Sequence, residues 1–303
     1  MRIAADVTFP GNSIWQVGGG RSLSLGAAGH LMAIINVTPD SFSDGGMHLS
    51  VEAAVKHAMA CVEEGATILD IGGESTRPGA EPVSPAEEQA RILPVIAALA
   101  GRTEALISVD TYRADTARLA IAAGAHVVND VFGLRHDPDM AQVVAETGAG
   151  LVMMHTGRGR EADKVADVVA DQRIFFERQL ALADEAGVRR EAIVLDPGFG
   201  FAKNRDEDFQ LMARFHELQD IGLPWLVGTS RKRFIGAVTG RDQAGDRDVG
   251  TAATTALLRL CGASIFRVHN VATNRDALLM ADAVLAARTD GARHEAAHKE
   301  RQA

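Results

Sequence analysis

One unit recurs along most of this chain and limits the fold more than any other feature: a short apolar run, a polar loop, then an amphipathic stretch. The apolar runs cover residues 31–37, 67–73, 106–111, 126–131, 150–155, 192–198, 224–230 and 264–270. They have the length and apolar continuity of strands covered on both faces, as parallel strands are. The stretches between them carry apolar residues at helical spacing. Val51, Ala54, Val55, Ala58, Met59 and Val62 form one stripe, and Ile92, Val95, Ile96 and Leu99 form another. The second opens with Ser84-Pro85-Ala86-Glu87, a capping box with proline at the first helical position. Eight such units closed on themselves make a (β/α)8 barrel, and 303 residues suit one. A doubly wound open sheet would gather its reactive residues at one switch point. Here they follow many strands, which favours the barrel.

The stretch 31–46, LMAIINVTPDSFSDGG, shows the unit most sharply. A strand-like run gives way to Pro39, which has no N–H for a ladder, and then to the Gly45-Gly46 pair. Ser50 is the expected N-cap of the helix that follows, with Glu52 in its first turn. A buried strand ending in a polar loop with one aromatic, Phe42, has the form of an active-site loop. Residues 1–30 are irregular and glycine-rich and read as an arm or hairpin packed on one end of the barrel. The barrel spans 31–288, with its last helix ending near Ala287; residues 289–303 read as a polar, disordered tail.

A formal net charge of −9 and the lack of any Lys/Arg block argue against a general affinity for nucleic acid. No apolar run is long enough to span a bilayer, and two cysteines without metal-ligand spacing read as reduced core thiols. A cytoplasmic protein is expected.

In a barrel the reactive groups come from the C-terminal ends of the strands. Read in order, those ends give Asn36; Asp70 with Glu74, Ser75, Thr76 and Arg77; Asp110; Asn129-Asp130; His155; Asp196; Ser230-Arg231-Lys232; and Arg267 with His269. Each alone has a structural explanation, since a strand-end Asp often caps the next helix. Together they divide into carboxylates and amides on one side and Ser, Lys, Arg and His on the other. The first set suits the amine and lactam edge of a flat heterocycle, with Asp as a bidentate acceptor. The second suits a phosphate, for which the last strands of a barrel are the usual site. The stem of Lys232 could lie against a ring face.

These segments resemble a known family. NVTPDSFSDGG (36–46), LDIGGESTRPG (69–79), SVDT (108–111), ND (129–130), LDPGFGFAK (195–203), GTSRKRFIG (228–236) and RVHNV (267–271) closely resemble dihydropteroate synthase, a pterin-binding TIM-barrel family of the folate pathway and the target of sulfonamides. The family condenses 6-hydroxymethyl-7,8-dihydropterin pyrophosphate with 4-aminobenzoate to 7,8-dihydropteroate and pyrophosphate. The resemblance implies that Asp110, Asn129 and Asp196 hold the pterin edge, with Lys232 over the ring. It implies Asn36 as the Mg2+ ligand, and Arg267 and His269 as anchors of the pyrophosphate. Phe42, Thr76, Arg77, Phe201 and Ser230 would surround the aminobenzoate, with Asp44 reaching the reacting centre when its loop closes. A homodimer through outer helices is implied as well.

No covalent intermediate is required, so neither Cys61 nor Cys261 should matter. The chain departs from the family at MMHTGRGR (153–160), leaving His155 and Thr156 unassigned, with His155 read as structural. Ala202 replaces a common Gly and Asn270 a common Asp. Two rival readings remain. A methyltetrahydrofolate–corrinoid methyltransferase would share the pterin-edge groups, yet has no use for Ser230-Arg231-Lys232 or Arg267-Val268-His269. A non-enzymatic pterin-binding paralogue could lose Asn36, Phe42, Asp44 or Arg77, and all four are present.

Overall fold

A strand buried on both faces needs a neighbour on each side, and the eight apolar runs supply them to one another. The structure, a computed structural model, describes residues 13–37, 46–74, 83–160 and 163–300, with the backbone alone over 46–50 and 289–300. In chain order, a hairpin of β1 (Ser13–Gln16) and β2 (Ser22–Leu25) precedes β3 (His30–Asn36), α1 (Gly46–Glu63), β4 (Ile68–Gly72) and α2 (Pro85–Leu99). Then come β5 (Leu106–Asp110), α3 (Ala114–Ala122), β6 (Val127–Asp130), α4 (Met140–Thr147), β7 (Gly150–Met154) and α5 (Val168–Glu185). The chain continues with β8 (Ile193–Asp196), α6 (Arg205–Ala213), β9 (Leu226–Val227), α7 (Arg233–Thr239), α8 (Asp248–Leu260), β10 (Ile265–Val268) and α9 (Val271–Glu300). Strands β3 to β10 form one parallel sheet in the order β8-β7-β6-β5-β4-β3-β10-β9. A parallel bridge between Leu195 and Trp225 joins its two ends, so the sheet closes into a barrel.

Closure gives each strand an inner and an outer face, and the sequence alternates accordingly. On β3, Leu31, Ala33 and Ile35 pack outward with helix residues such as Ala54, Ala58, Ile92 and Ile96. Met32 points inward, into a layer with Ile68, Leu106, Val127, Val152, Val194, Leu226 and Ile265. This layer lies toward the strand starts, and the hairpin plugs it. Trp15, Val17 and Leu25 join the same cluster, and Trp15 is 1% exposed. Its indole Nε1 donates to the Ala192 carbonyl at 2.8 Å, and the Gly18 N–H donates to the His126 carbonyl at 2.9 Å. An apolar floor therefore seals one end, and polar side chains occupy the interior only above it.

Two helix boundaries differ from the sequence expectation, and β9 keeps only Leu226–Val227 of the run 224–230. Helix α1 starts at Gly46, so residue 50 lies inside the helix and is not its N-cap. Met47, His48 and Leu49 hold no breaker, and the glycine pair marks the start of the helix rather than more loop. Helix α9 runs on to Glu300 instead of ending near Ala287. The stretch 289–300 contains Ala292, Ala296, Ala297, Glu295 and Lys299, all good helix formers, and no proline. Ser84 does cap α2, accepting the Glu87 N–H at 3.2 Å. Phe42, Asp44, Thr76 and Arg77 lie outside the described residues.

Candidate active site

The inward positions of the strands turn polar one step above the apolar floor. On β4 the inner face reads Ile68, Asp70, Gly72, and on β5 Leu106, Ser108, Asp110. Asn129 follows Val127 on β6, Asp196 follows Val194 on β8, and Arg267 follows Ile265 on β10. Strand pairing holds Asp70 level with Ser108, and Asp110 level with Asn129. Six polar side chains from five strands thus meet above the floor.

Their contacts form a connected set. Arg267 donates from Nε to Asp70 Oδ2 at 2.6 Å and from a terminal nitrogen to Asp110 Oδ2 at 2.7 Å. Asn129 Nδ2 donates to the same Asp70 oxygen at 2.9 Å. Asp70 Oδ1, Asn129 Oδ1 and Ser108 Oγ are buried and have no hydrogen-bond partner in the structure. Buried acceptors are rarely left so, because an unmade bond costs about 1–3 kcal/mol. The slot is shaped for a donor-bearing ligand. Asp196 Oδ1 accepts the Gly198 N–H at 2.7 Å, and Gly228 leaves open space beside its other oxygen.

Burial decides the charge state of these acids. It raises Asp196 to about 6 against the pull of the Gly198 N–H and of Lys232, Lys203 and Arg267. Asp110 rises to about 7: burial outweighs the Arg267 guanidinium, and the neighbouring carboxylates Asp70, Glu88 and Asp130 add to the rise. Arg267 is driven further up by Asp70 and Asp110 despite its burial, so it stays a cation.

The cationic side is built by the turn after β9. Arg231 adopts a left-handed φ of 58° and forks both ends of its guanidinium onto Asp248, at 2.7 and 2.8 Å. It braces the turn against α8. The reversal leaves Lys232 extended at the cap of α7, with its ammonium 4.1 Å from the centre of the Phe201 ring. Its stem passes Gly200, where a Cβ would lie 3.1 Å from Lys232 Cδ. Burial and the Arg267 charge lower Lys232 to about 8, with Asp196 and Asp208 holding it up. Ser230 Oγ accepts the His269 backbone N–H at 3.1 Å and lies 2.9 Å from His269 Nδ1. With the serine proton given to Nδ1, a neutral His269 ring carries its own proton on Nε2. Ser230 is thus joined to His269.

Of the residues read from sequence, Asp110, Asn129, Asp196, Lys232 and Arg267 are brought together above the floor, with Phe201 beside Lys232 and Ser230 beside His269. Asn36 ends β3, half-buried and in register with Gly72. Asp130 turns away and caps the following turn, accepting from Phe132 N and Leu134 N. Ser108 was read only within a motif, and Asp70 only as a strand-end carboxylate with no role assigned. Its signal was present: an acid on the inner face of ILDIG, between Ile68 and Gly72. The departures are also explained. Asn270 donates to Asp248 Oδ2 at 3.0 Å, where an aspartate would face a like charge, and its own oxygen accepts the Thr273 N–H. Ala202 sits at φ 51°, a conformation that costs an L-residue about 1–2 kcal/mol and explains why glycine is common there.

A closed barrel whose mouth joins an acceptor-lined slot to a cluster of cations defines a class of enzymes for flat heterocycles. The family model described as pterin binding enzyme matches residues 32–269, and the chain belongs to that family. Within it the chain falls among the dihydropteroate synthases. It is 43% identical to the dihydropteroate synthase of Escherichia coli K12 over 263 residues, 86% of this chain and 93% of that protein. The Xanthomonas albilineans dihydropteroate synthase with 4-aminobenzoic acid superposes with a TM-score of 0.85 at 44% identity, over 90% of this chain and 99% of that one. The same enzyme in complex with 7,8-dihydropteroate gives 0.80 at 43% identity, over 88% and 97%.

Proposed function

We propose that this barrel mouth joins 6-hydroxymethyl-7,8-dihydropterin pyrophosphate to 4-aminobenzoate, releasing pyrophosphate and 7,8-dihydropteroate. The observation that carries this reading is the direct contact of Arg267 with Asp70 and Asp110, which puts a cation inside the acceptor slot. Ser108, Asn129 and Asp196 line the same slot and can take the donor-bearing edge of the pterin. Lys232 covers its face. The aminobenzoate would enter beside Phe201, with Phe42, Thr76, Arg77 and Asp44 assigned to it by the family resemblance.

The residues favour breaking the methylene–oxygen bond early. Its electron pair goes to the pyrophosphate, whose charge Arg267, Lys232 and His269 can gather. The electron-rich dihydropterin spreads the positive charge left on the methylene. The arylamine nitrogen then forms the C–N bond and loses a proton. An arylamine is weakly basic and needs placement and exclusion of water more than activation. No protein nucleophile is needed: Cys61, on the buried face of α1, is 3% exposed, and burial raises its thiol to about 11.

Asn36 offers one hard amide oxygen at the rim, and the described residues hold no cluster of three His, Cys, Asp or Glu. That suits Mg2+, which takes one or two protein oxygens and completes its shell with phosphate and water. When bound, it would neutralise the leaving pyrophosphate.

We also place the protein in the cytoplasm as a homodimer, open to inhibition by sulfonamides as aminobenzoate mimics. Among the described residues no helix is long and apolar enough to cross a membrane. The outer faces of α8 and α9 expose Val249, Leu279 and Met280 at 78%, 56% and 67%, an apolar surface suited to a second copy. Pyrophosphate release from the pterin substrate tests the activity. It should require aminobenzoate and Mg2+, and no release with both present would refute it.

A further inference from the structure

The turn after β8 begins with Asp196 and carries Phe201, and the residue that closes it, Lys203, has no part in the chemistry above. Lys203 Nζ donates to the Gly198 carbonyl at 2.9 Å and lies 3.0 Å from His155 Nδ1. His155 is 1% exposed, and its other nitrogen lies 2.8 Å from Asp171 Oδ2 on α5. Burial and the nearby Lys203 charge depress His155 to about 3, so the ring is neutral. Lys203 meets the ring at Nδ1, while Nε2 faces both Asp171 and Arg160 Nη1, the latter at 2.9 Å. Arg160 closes the group, 2.9 Å from Asp171 Oδ1. The same strand end grips the turn by its backbone: the His155 N–H donates to the Asp196 carbonyl at 2.8 Å. At Gly198, φ is 65° and a Cβ would fall 1.9 Å from the His155 carbonyl, so only glycine lets the two segments meet.

We propose that Lys203 is a positioning residue that pins the 197–203 turn to His155 and so sets how Asp196 and Phe201 face the substrate. The pin requires His155 to stay neutral and Lys203 to stay charged. Facing Lys203 are Asp208 on α6, Asp196 on β8, Asp171 on α5, and His155, Arg160 and Lys164 from β7 and the loop after it. Burial lowers Lys203 to about 7, opposed by the three aspartates and reinforced by Lys164. The pin therefore loosens as pH rises through neutrality.

The inference rests on Asp196 and Phe201 belonging to the substrate pocket. Its test is Lys203→Met, measured beside Asp196→Asn. Lys203→Met should raise KM for the pterin substrate about tenfold, with kcat changing less than about threefold. The ratio of variant to wild-type KM should be largest below about pH 7 and shrink above it, as wild-type Lys203 loses its proton. His155→Gln, which removes the ring acceptor, should shift KM the same way and add little to Lys203→Met, and it carries the test if Lys203→Met does not fold. A lower melting point and lower kcat at unchanged KM would mark mere structural support and overturn the inference. If Asp196→Asn also leaves the pterin KM unchanged, the pocket assignment fails instead.

Discussion

Asp196→Asn separates what the site demands of its ligand from what it costs the fold. The Asp196 carboxylate is 5% exposed and rises from 3.8 to about 6, chiefly through burial. Ionising it inside the protein therefore costs about 3 kcal/mol more than in the unfolded chain. Asparagine has the same shape and keeps an acceptor for the Gly198 N–H, losing about 1 kcal/mol of charge assistance in that bond. The difference leaves the ligand-free variant more stable than wild type by about 1–2 kcal/mol once the acid is ionised. The sign follows from the raised pKa. Wild type enjoys this acid's contribution fully below about pH 4 and loses it as pH rises through about 6, while the variant has no such slope. Binding moves the other way. A carboxylate facing a donor pair becomes a mixed donor and acceptor, which should weaken the pterin by about 2–4 kcal/mol, or 30- to 1,000-fold in KM. Urea unfolding from about pH 4 to 8, with pterin KM on the same samples, reads both. A variant less stable than wild type at every pH would refute the buried-charge account. Unchanged KM would remove Asp196 from the pocket.

Cys61→Ala should keep wild-type kcat and KM, since its buried, raised thiol sits in the last turns of α1; lost activity in a folded variant would show that a nucleophile had been overlooked. Ala202→Gly should relieve the left-handed strain and raise the melting point by roughly 2–3 °C, from about 1 kcal/mol. A fall would mean that the position gains more from chain stiffness than it loses to strain. Trp15→Ala should cost about 3–5 kcal/mol in chemical denaturation without changing KM, because the plug seals the end of the barrel away from the site. A large KM change would show that the floor and the mouth are mechanically coupled.

The architecture was readable because parallel strands leave a strong mark: runs such as 31–35 and 150–154 are apolar on both faces, and nothing else of that length needs to be. Most strand ends were readable to within a residue or two for the same reason, since polarity returns where cover by helices stops; the run 224–230 is the exception, with only Leu226–Val227 in strand. Helix ends were legible only in part: Ser84 caps α2 as expected, but two other ends were misplaced. Ser50 looks like a cap because serine caps helices often, but the side chain only reports a local preference. The sequence before it, Met47-His48-Leu49, tolerates helix equally well, and tertiary support over α1 decides the matter. The same holds at 288–300, where polarity suggested fraying while helix propensity, which does not depend on hydrophobicity, continued to favour helix.

Within the site, residue identity was legible and partnership was not. Asp110, Asn129, Asp196 and Arg267 stand out as polar groups ending apolar strands, but pairing depends on which strands are neighbours across the closed barrel. Asp70 and Arg267 are 197 positions apart and meet only because β3 separates β4 from β10 in the sheet. Arg231 makes the converse point. A run of Ser-Arg-Lys at a barrel mouth suggests three phosphate ligands, yet the chain reverses at Arg231 and commits its guanidinium to Asp248. That commitment is what frees Lys232 to face the slot. The turn can aim one cation inward because it anchors the preceding one outward, so loss of Asp248 should be felt through Lys232.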